Sequence, residues 1–162
     1  HYLKAMCYFE QVEDEKKNFA SINGAKKELL YIIKTYPNTD FALDSKYKLD
    51  LVNAVHASKE IYLGRYYMQR KKWIASINRF KYVIDNYETT VYAAEALHRL
   101  VELYYILGYI EESKRYASIL GYNYKSDKWY KETYKIYNKN YVDPIQEVKK
   151  KKGILKKFKS LF

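Results

Sequence analysis

Two stretches of the chain carry matching residue classes at matching offsets, and that recurrence leaves few folds open. Leu63, Gly64 and Tyr67 precede Trp73, Ser76, Phe80 and Val83; about one helical hairpin later, Leu100, Val101, Tyr104, Gly108, Ile110, Ser113, Ala117 and Leu120 take the same places. Apolar residues return every three or four positions, as one face of a helix requires. Gly64, Ser76 and Ser113 are small enough for two helix backbones to approach closely. No strand-like alternation of usable length appears, so the class is all-α. A hairpin of this kind cannot bury its apolar face alone, and it is stabilised by stacking on its neighbours.

The stretches between helices repeat as well. Tyr36-Pro37-Asn38-Thr39-Asp40-Phe41, Tyr87-Glu88-Thr89-Thr90-Val91-Tyr92 and Tyr124-Lys125-Ser126-Asp127-Lys128-Trp129 each close one periodic run with a Tyr. Each then supplies a Thr, Asn, Ser or Asp whose side-chain oxygen can accept an orphan N–H of the next helix. The last two corners are 37 residues apart, near the roughly 34 of a tetratricopeptide repeat, and the first two are 51 apart. The surplus is about one helix. The spacing therefore predicts a tetratricopeptide solenoid with one long helix, or two nearly collinear ones, from Phe41 to Arg70, because Gly64 is the only breaker within that run. Shorter helices are expected over Tyr2 to Gln11, Asn23 to Tyr36, Trp73 to Tyr87, Tyr92 to Leu107 and Ile110 to Gly121, with a capping helix over Lys128 to Asn138. Glu13 to Asn18 reads as a charged loop. Leu29, Leu30, Ile32 and Ile33 are expected inside, as are Tyr31, Tyr36, Tyr67, Tyr82, Tyr87 and Tyr104.

Residues 1–140 are expected to form the repeat domain and 141–162 a separate tail, either basic and amphipathic or disordered. His1 already lies within a helical pattern, so the chain reads as part of a longer protein, with any signal peptide or lipid-attachment site upstream. No apolar run approaches the roughly 20 residues of a membrane span. Cys7 is the single cysteine, which excludes an internal disulfide, and it is expected to be buried as a small apolar residue. The net charge of +11 suggests nucleic acid at first sight, but its distribution argues otherwise. Residues 144–162 hold seven Lys against one Glu, more than half of the excess, and Lys outnumbers Arg 25 to 5. Base-edge recognition favours the Arg fork. In the tail, Ile154, Leu155, Phe158, Leu161 and Phe162 share one helical face and lysines crowd the other. That pattern suits an anionic lipid surface or a partner's groove.

Nothing supports an enzyme. His1, His56 and His98 are the only histidines; Glu95 and His98 have the i, i+3 spacing of one half of a di-iron motif, and the other half is missing. No Ser/His/Asp or Cys/His set and no phosphate-cradling Gly loop is present, so no cofactor or metal is expected. Stacked hairpins instead offer a concave surface for another polypeptide. Repeat geometry places Ile61, Arg65, Met68 and Gln69 beside the core stripe of one inner helix, and Glu95, His98, Arg99, Glu102, Tyr105 and Ile106 beside that of the next. Arg65, Gln69, Arg99, Glu102 and Tyr105 are the candidate partner-binding residues, with the two Arg forks suited to carboxylates and Tyr105 to an aromatic anchor.

Glu60-Ile61-Tyr62-Leu63-Gly64-Arg65-Tyr66-Tyr67 with Trp73-Ile74-Ala75-Ser76-Ile77-Asn78-Arg79 resembles the BamD family of outer-membrane protein assembly lipoproteins. So do Glu95 to Glu102, Leu120 to Tyr124, Lys128-Trp129-Tyr130 and the Tyr36-Pro37-Asn38-Thr39 corner, over about residues 2 to 138. The resemblance implies the later repeats of a five-repeat scaffold at the periplasmic face of the outer membrane, held there by an N-terminal lipid. It implies binding to the periplasmic domains of the barrel insertase BamA, with other Bam lipoproteins and unfolded outer-membrane proteins as further partners. The lipidated Cys and first repeats are absent, since Cys7 lacks a lipobox context, and the lysine tail is not a general family mark. The competing expectation is a generic repeat adaptor whose basic surface binds nucleic acid or anionic membrane.

Overall fold

The computed structural model describes residues 1–11, 19–125 and 127–138, and these form seven helices with no strand among them. They are α1 (Tyr2–Glu10), α2 (Phe19–Thr35), α3 (Asp40–Gln69), α4 (Trp73–Tyr87), α5 (Ala93–Ile106), α6 (Ile110–Asn123) and α7 (Lys128–Tyr137). Successive helices pack as antiparallel hairpins, and α7 lies on both α5 and α6 as a cap. The 30-residue α3 is the long helix expected from the corner spacing. The charged loop expected before α2 and the tail expected after residue 140 lie outside the described residues.

Helix α3 belongs to two cores. Its first half buries Ala42 and Val52 against Ala5, Ile22, Ala25, Leu29 and Ile32 of α1 and α2. Its second half buries Ala57 and Ile61 against Ile77, Phe80, Val83 and Tyr87 of α4 and Leu100 and Leu103 of α5. A third cluster seats Ala94, Leu97 and Leu120 under Trp129 and Tyr130 of the cap. Continuous i→i−4 hydrogen bonding through α3 is what joins the front hairpin to the repeats behind it.

The 37-residue offset is repeated in atomic detail. The Ser76 hydroxyl donates to the Gly64 carbonyl at 2.8 Å, and the Ser113 hydroxyl donates to the Val101 carbonyl at 2.9 Å. Both hairpin turns are Schellman motifs. Lys71 and Lys72 donate to the Met68 and Tyr67 carbonyls, just as Gly108 and Tyr109 donate to those of Tyr105 and Tyr104. The left-handed position is Gly108 at φ 81° in one turn and Lys71 at φ 58° in the other. Where the first hairpin sets Gly64 against Phe80, the second has Val101 and Ala117, so the large and small residues exchange sides.

The corners also share a geometry: Thr39, Thr90 and Asp127 each donate a backbone N–H to the carbonyl of Tyr36, Tyr87 or Tyr124. Thr39 caps α3 through Ala42 N–H, and Asp127 caps α7 through Trp129 N–H. The middle corner departs from expectation. There α5 starts after Tyr92 without a side-chain cap, although the Thr90 hydroxyl donates to the Tyr87 carbonyl at 2.7 Å just as the Thr39 hydroxyl donates to that of Tyr36 at 2.8 Å.

Several burial expectations are corrected. Cys7 is exposed, because α1 turns Ala5, Met6 and Phe9 toward α2 and leaves Cys7 on the other side. Leu30 and Tyr31 are exposed, because Ile22, Ala25, Leu29 and Ile32 already define the inner stripe of α2, and Ile33 is only half-buried. Tyr36 and Tyr82 are exposed too, whereas Tyr87 is buried and Tyr67 and Tyr104 are half-buried. A Tyr ring packs at a core margin with its hydroxyl in water, so helical spacing alone does not tell rim from interior.

Candidate functional site: the groove between α3 and α5

Helices α3 and α5 occupy equivalent places in successive hairpins, and a groove runs between them. Arg65, Met68, Gln69 and Trp73 line it from one side, with Arg99 and Ile106 from the other, around a volume of about 340 Å³. On the far side of Arg65 a second hollow of about 540 Å³ is lined by Ser58, Lys59, Tyr62, Leu63 and Tyr92. Arg65 borders both.

The spacing that buries Ile61 and Gly64 and half-buries Tyr67 on the α4 side leaves Tyr62, Arg65 and Gln69 on the opposite, open face of α3. That face continues toward the N-terminus through Leu43, Tyr47, Leu51 and Ser58. Leu43, Tyr47, Leu51 and Tyr62 are all exposed. This stripe was missed at the sequence level, although its steps of three, four and seven residues were present to be found.

Arg65 reaches across the groove. Its Nε and Nη2 donate to the two carboxylate oxygens of Glu95 at 2.6 and 2.5 Å, a bidentate pair in which Arg65 is half exposed and Glu95 is buried. Arg99 donates through Nη1 to Glu102 at 2.6 Å, approaches Glu95 at 3.7 Å and lies over the Trp129 ring at 5.1 Å. His98 is buried between Trp129, with ring centroids 5.0 Å apart, and Thr133, whose hydroxyl oxygen lies 2.7 Å from Nδ1. Its Nε2 is 3.5 Å from Glu102. Burial pushes the Glu102 carboxyl up, but hydrogen bonds from His98 and Arg99 outweigh it and hold Glu102 below the usual carboxylate range.

Of the expected site residues, the structure brings Arg65, Gln69 and Arg99 to one pocket, with Glu102 paired to Arg99. Tyr105 is exposed one turn further along α5, its ring edge-on to Tyr137 at 5.6 Å. Ile154, Leu155, Phe158, Leu161 and Phe162 lie outside the described residues. Three flanking residues are not groove-facing: Ile61 is in the core, and Glu95 and His98 are buried because each binds a neighbouring helix. Glu95 and His98 therefore hold separate partners, and among the described residues no group of three or more His, Cys, Asp or Glu is placed to hold a metal ion. No described helix is long and apolar enough to cross a membrane.

Stacked hairpins with an open inner face define a helical-repeat protein of the tetratricopeptide type. The chain belongs to the YfiO family of outer membrane lipoproteins, whose family model matches residues 1–120. It is 43% identical over 146 residues to the outer membrane protein assembly factor BamD of Caulobacter vibrioides, covering 90% of this chain and 48% of that relative. It is 45% identical over 141 residues to the protein of the same name from Rickettsia prowazekii, covering 87% of this chain and 56% of the relative. The chain thus spans about half the length of these curated relatives.

Proposed function

We propose that this chain is a non-enzymatic scaffold in the assembly of outer-membrane β-barrel proteins, acting at the periplasmic face of the outer membrane. In this reading the groove between α3 and α5 holds a periplasmic domain of the BamA insertase. Other lipoproteins of the same machine and unfolded barrel proteins are further partners. The observation that carries it is the pocket where Met68, Trp73 and Ile106 provide apolar area beside Arg65, Gln69 and Arg99. Apolar anchors next to Arg are the composition of protein-binding hot spots. The names of the two relatives support the same reading.

Residues for the test must be chosen with the network in mind. Replacing Arg65 or Arg99 disturbs the pairing of buried Glu95, so lost binding would be confounded with lost stability. Gln69 and Ile106 line the pocket and are exposed, and neither side chain has a hydrogen bond among the described residues. Binding of the BamA periplasmic domains is measured by calorimetry for wild type, Gln69→Lys and Ile106→Glu. The expected loss is about 1–2 kcal/mol for each variant, about tenfold in affinity. Affinities equal to wild type in both variants would reject the groove as the docking site.

A further inference from the structure

Helix α7 is seated by groups that it shares with the groove. Trp129, Thr133 and Tyr137 recur every four residues and fall on one face of α7. On α5, His98 meets both the Thr133 hydroxyl and the Trp129 ring. Tyr137 meets Tyr105 of α5 and the Ser113 hydroxyl of α6. Of the 10 residues of α7 only Thr133 is buried. A helix shorter than roughly 12–15 residues is marginal in isolation, so α7 keeps its form by being seated.

Arg99 belongs to both sides. Its guanidinium lies over the Trp129 ring, and the same side chain lines the groove beside Arg65. Nη1 donates to Glu102, but Nε is buried and has no hydrogen-bond partner among the described residues. That Nε stands 3.7 Å from a Glu95 oxygen, just outside bonding distance, while both Glu95 oxygens accept from Arg65. A buried carboxylate needs a cation beside it. Arg65 is half exposed and open to a carboxylate arriving in the groove. When Arg65 is drawn away, Arg99 is the cation already placed to take over Glu95.

We infer that the seating of α7 is linked to occupancy of the groove through Arg65, Glu95, Arg99 and Trp129 in turn. A partner carboxylate that engages Arg65 turns Arg99 to Glu95, and the Trp129 end of α7 is released. The inference rests on the groove being a docking site and adds a conformational response to it. A ligand shifts such an equilibrium only through a difference in its contacts with the two states, and here that difference is the position of Arg99. The linkage is reciprocal, so an unseated α7 favours groove binding.

The chain has two tryptophans, so Trp73→Phe leaves Trp129 as the fluorescent reporter. In that background and with no partner present, Arg65→Met is expected to shift Trp129 emission to the red and to speed amide exchange along residues 130–137. Arg65→Met with Glu95→Gln is expected to match the parent, because no buried charge remains to draw Arg99. In a second arm the BamA periplasmic domains are titrated in, and the same red shift is expected at the midpoint that calorimetry gives. Trp129→Leu is expected to bind them about two- to fivefold more tightly, the equivalent of one cation–ring contact. Unchanged emission in Arg65→Met, or a shift that persists in the double variant, overturns the linkage. So does a partner that binds the groove and leaves Trp129 emission as it was. A partner that fails to bind overturns the reading of the groove instead, and the partner-free arm then decides the linkage.

Discussion

The Arg65 guanidinium on α3 grips the buried Glu95 carboxylate on α5 through two bonds of 2.6 and 2.5 Å, tying one repeat to the next across the open groove. Arg65→Ala leaves that carboxylate buried with only the more distant Arg99. A lost partner costs a fully buried pair about 3–5 kcal/mol, and the half-exposed Arg65 brings the expectation to about 2–3 kcal/mol. Urea denaturation should also show that Arg65→Met with Glu95→Gln recovers much of the loss, because no unpaired charge remains. A single replacement as stable as wild type would contradict this account.

Gly64 is required by Phe80. A Cβ added at position 64 would lie 2.6 Å from the Phe80 ring, which is itself fully buried. Gly64→Ala is expected to cost about 1–3 kcal/mol through overpacking, and Phe80→Ala about 3–5 kcal/mol through the cavity it leaves. The combination Gly64→Ala with Phe80→Leu should be milder than the sum of its parts. Strict additivity in thermal unfolding would show that the two positions do not share this contact.

Lys71 occupies the left-handed position that Gly108 fills in the next turn. A non-glycine residue is strained there by about 1–2 kcal/mol, partly offset by the greater freedom of glycine in the unfolded chain. Lys71→Gly should stabilise the protein by about 0.5–1 kcal/mol, and Gly108→Ala should destabilise it by a similar amount. Midpoints moving the opposite way in a denaturant titration would refute the equivalence of the turns.

Acid should weaken the fold in two stages. Burial, with the charges of Lys26 and Lys59, pushes His56 below its ordinary value. The unfolded chain then binds the proton more readily, and stability is lost as pH falls below about 6.5. The Glu102 carboxylate, held low by His98 and Arg99 against the effect of burial, loses its contribution further down, as pH falls through the carboxylate range. In alkali the sign reverses at Tyr87, whose hydroxyl burial pushes up to about 12, so stability falls once the unfolded Tyr ionises above about 10. Thermal midpoints against pH should lose the first acid decline in His56→Gln and the alkaline one in Tyr87→Phe. An unchanged acid limb in His56→Gln would place that decline elsewhere.

The helices, their order and their turns were legible because the signals are local. Trp73–Tyr87 matches the expected span at both ends, and α3 runs one residue earlier at each end than the expected Phe41 to Arg70. The carbonyls of the corner tyrosines, with Thr39, Asp127 and Gly108, act within four residues of themselves, so the order of residues alone is enough to place the turns.

Tertiary structure decided which faces stayed open and which charges were already engaged. Arg65 and Glu95 are 30 residues apart, and His98 and Thr133 are 35 apart. No periodicity within one helix reports such a pairing, since it depends on how neighbouring hairpins stack. The same stacking sets Tyr82 at the rim and Tyr87 inside, though both stand at plausible helical positions. From the order of its residues this protein is a repeated helical hairpin. The three-dimensional arrangement turned part of its expected binding surface into an internal clamp, because burying a carboxylate requires a cation brought from another repeat.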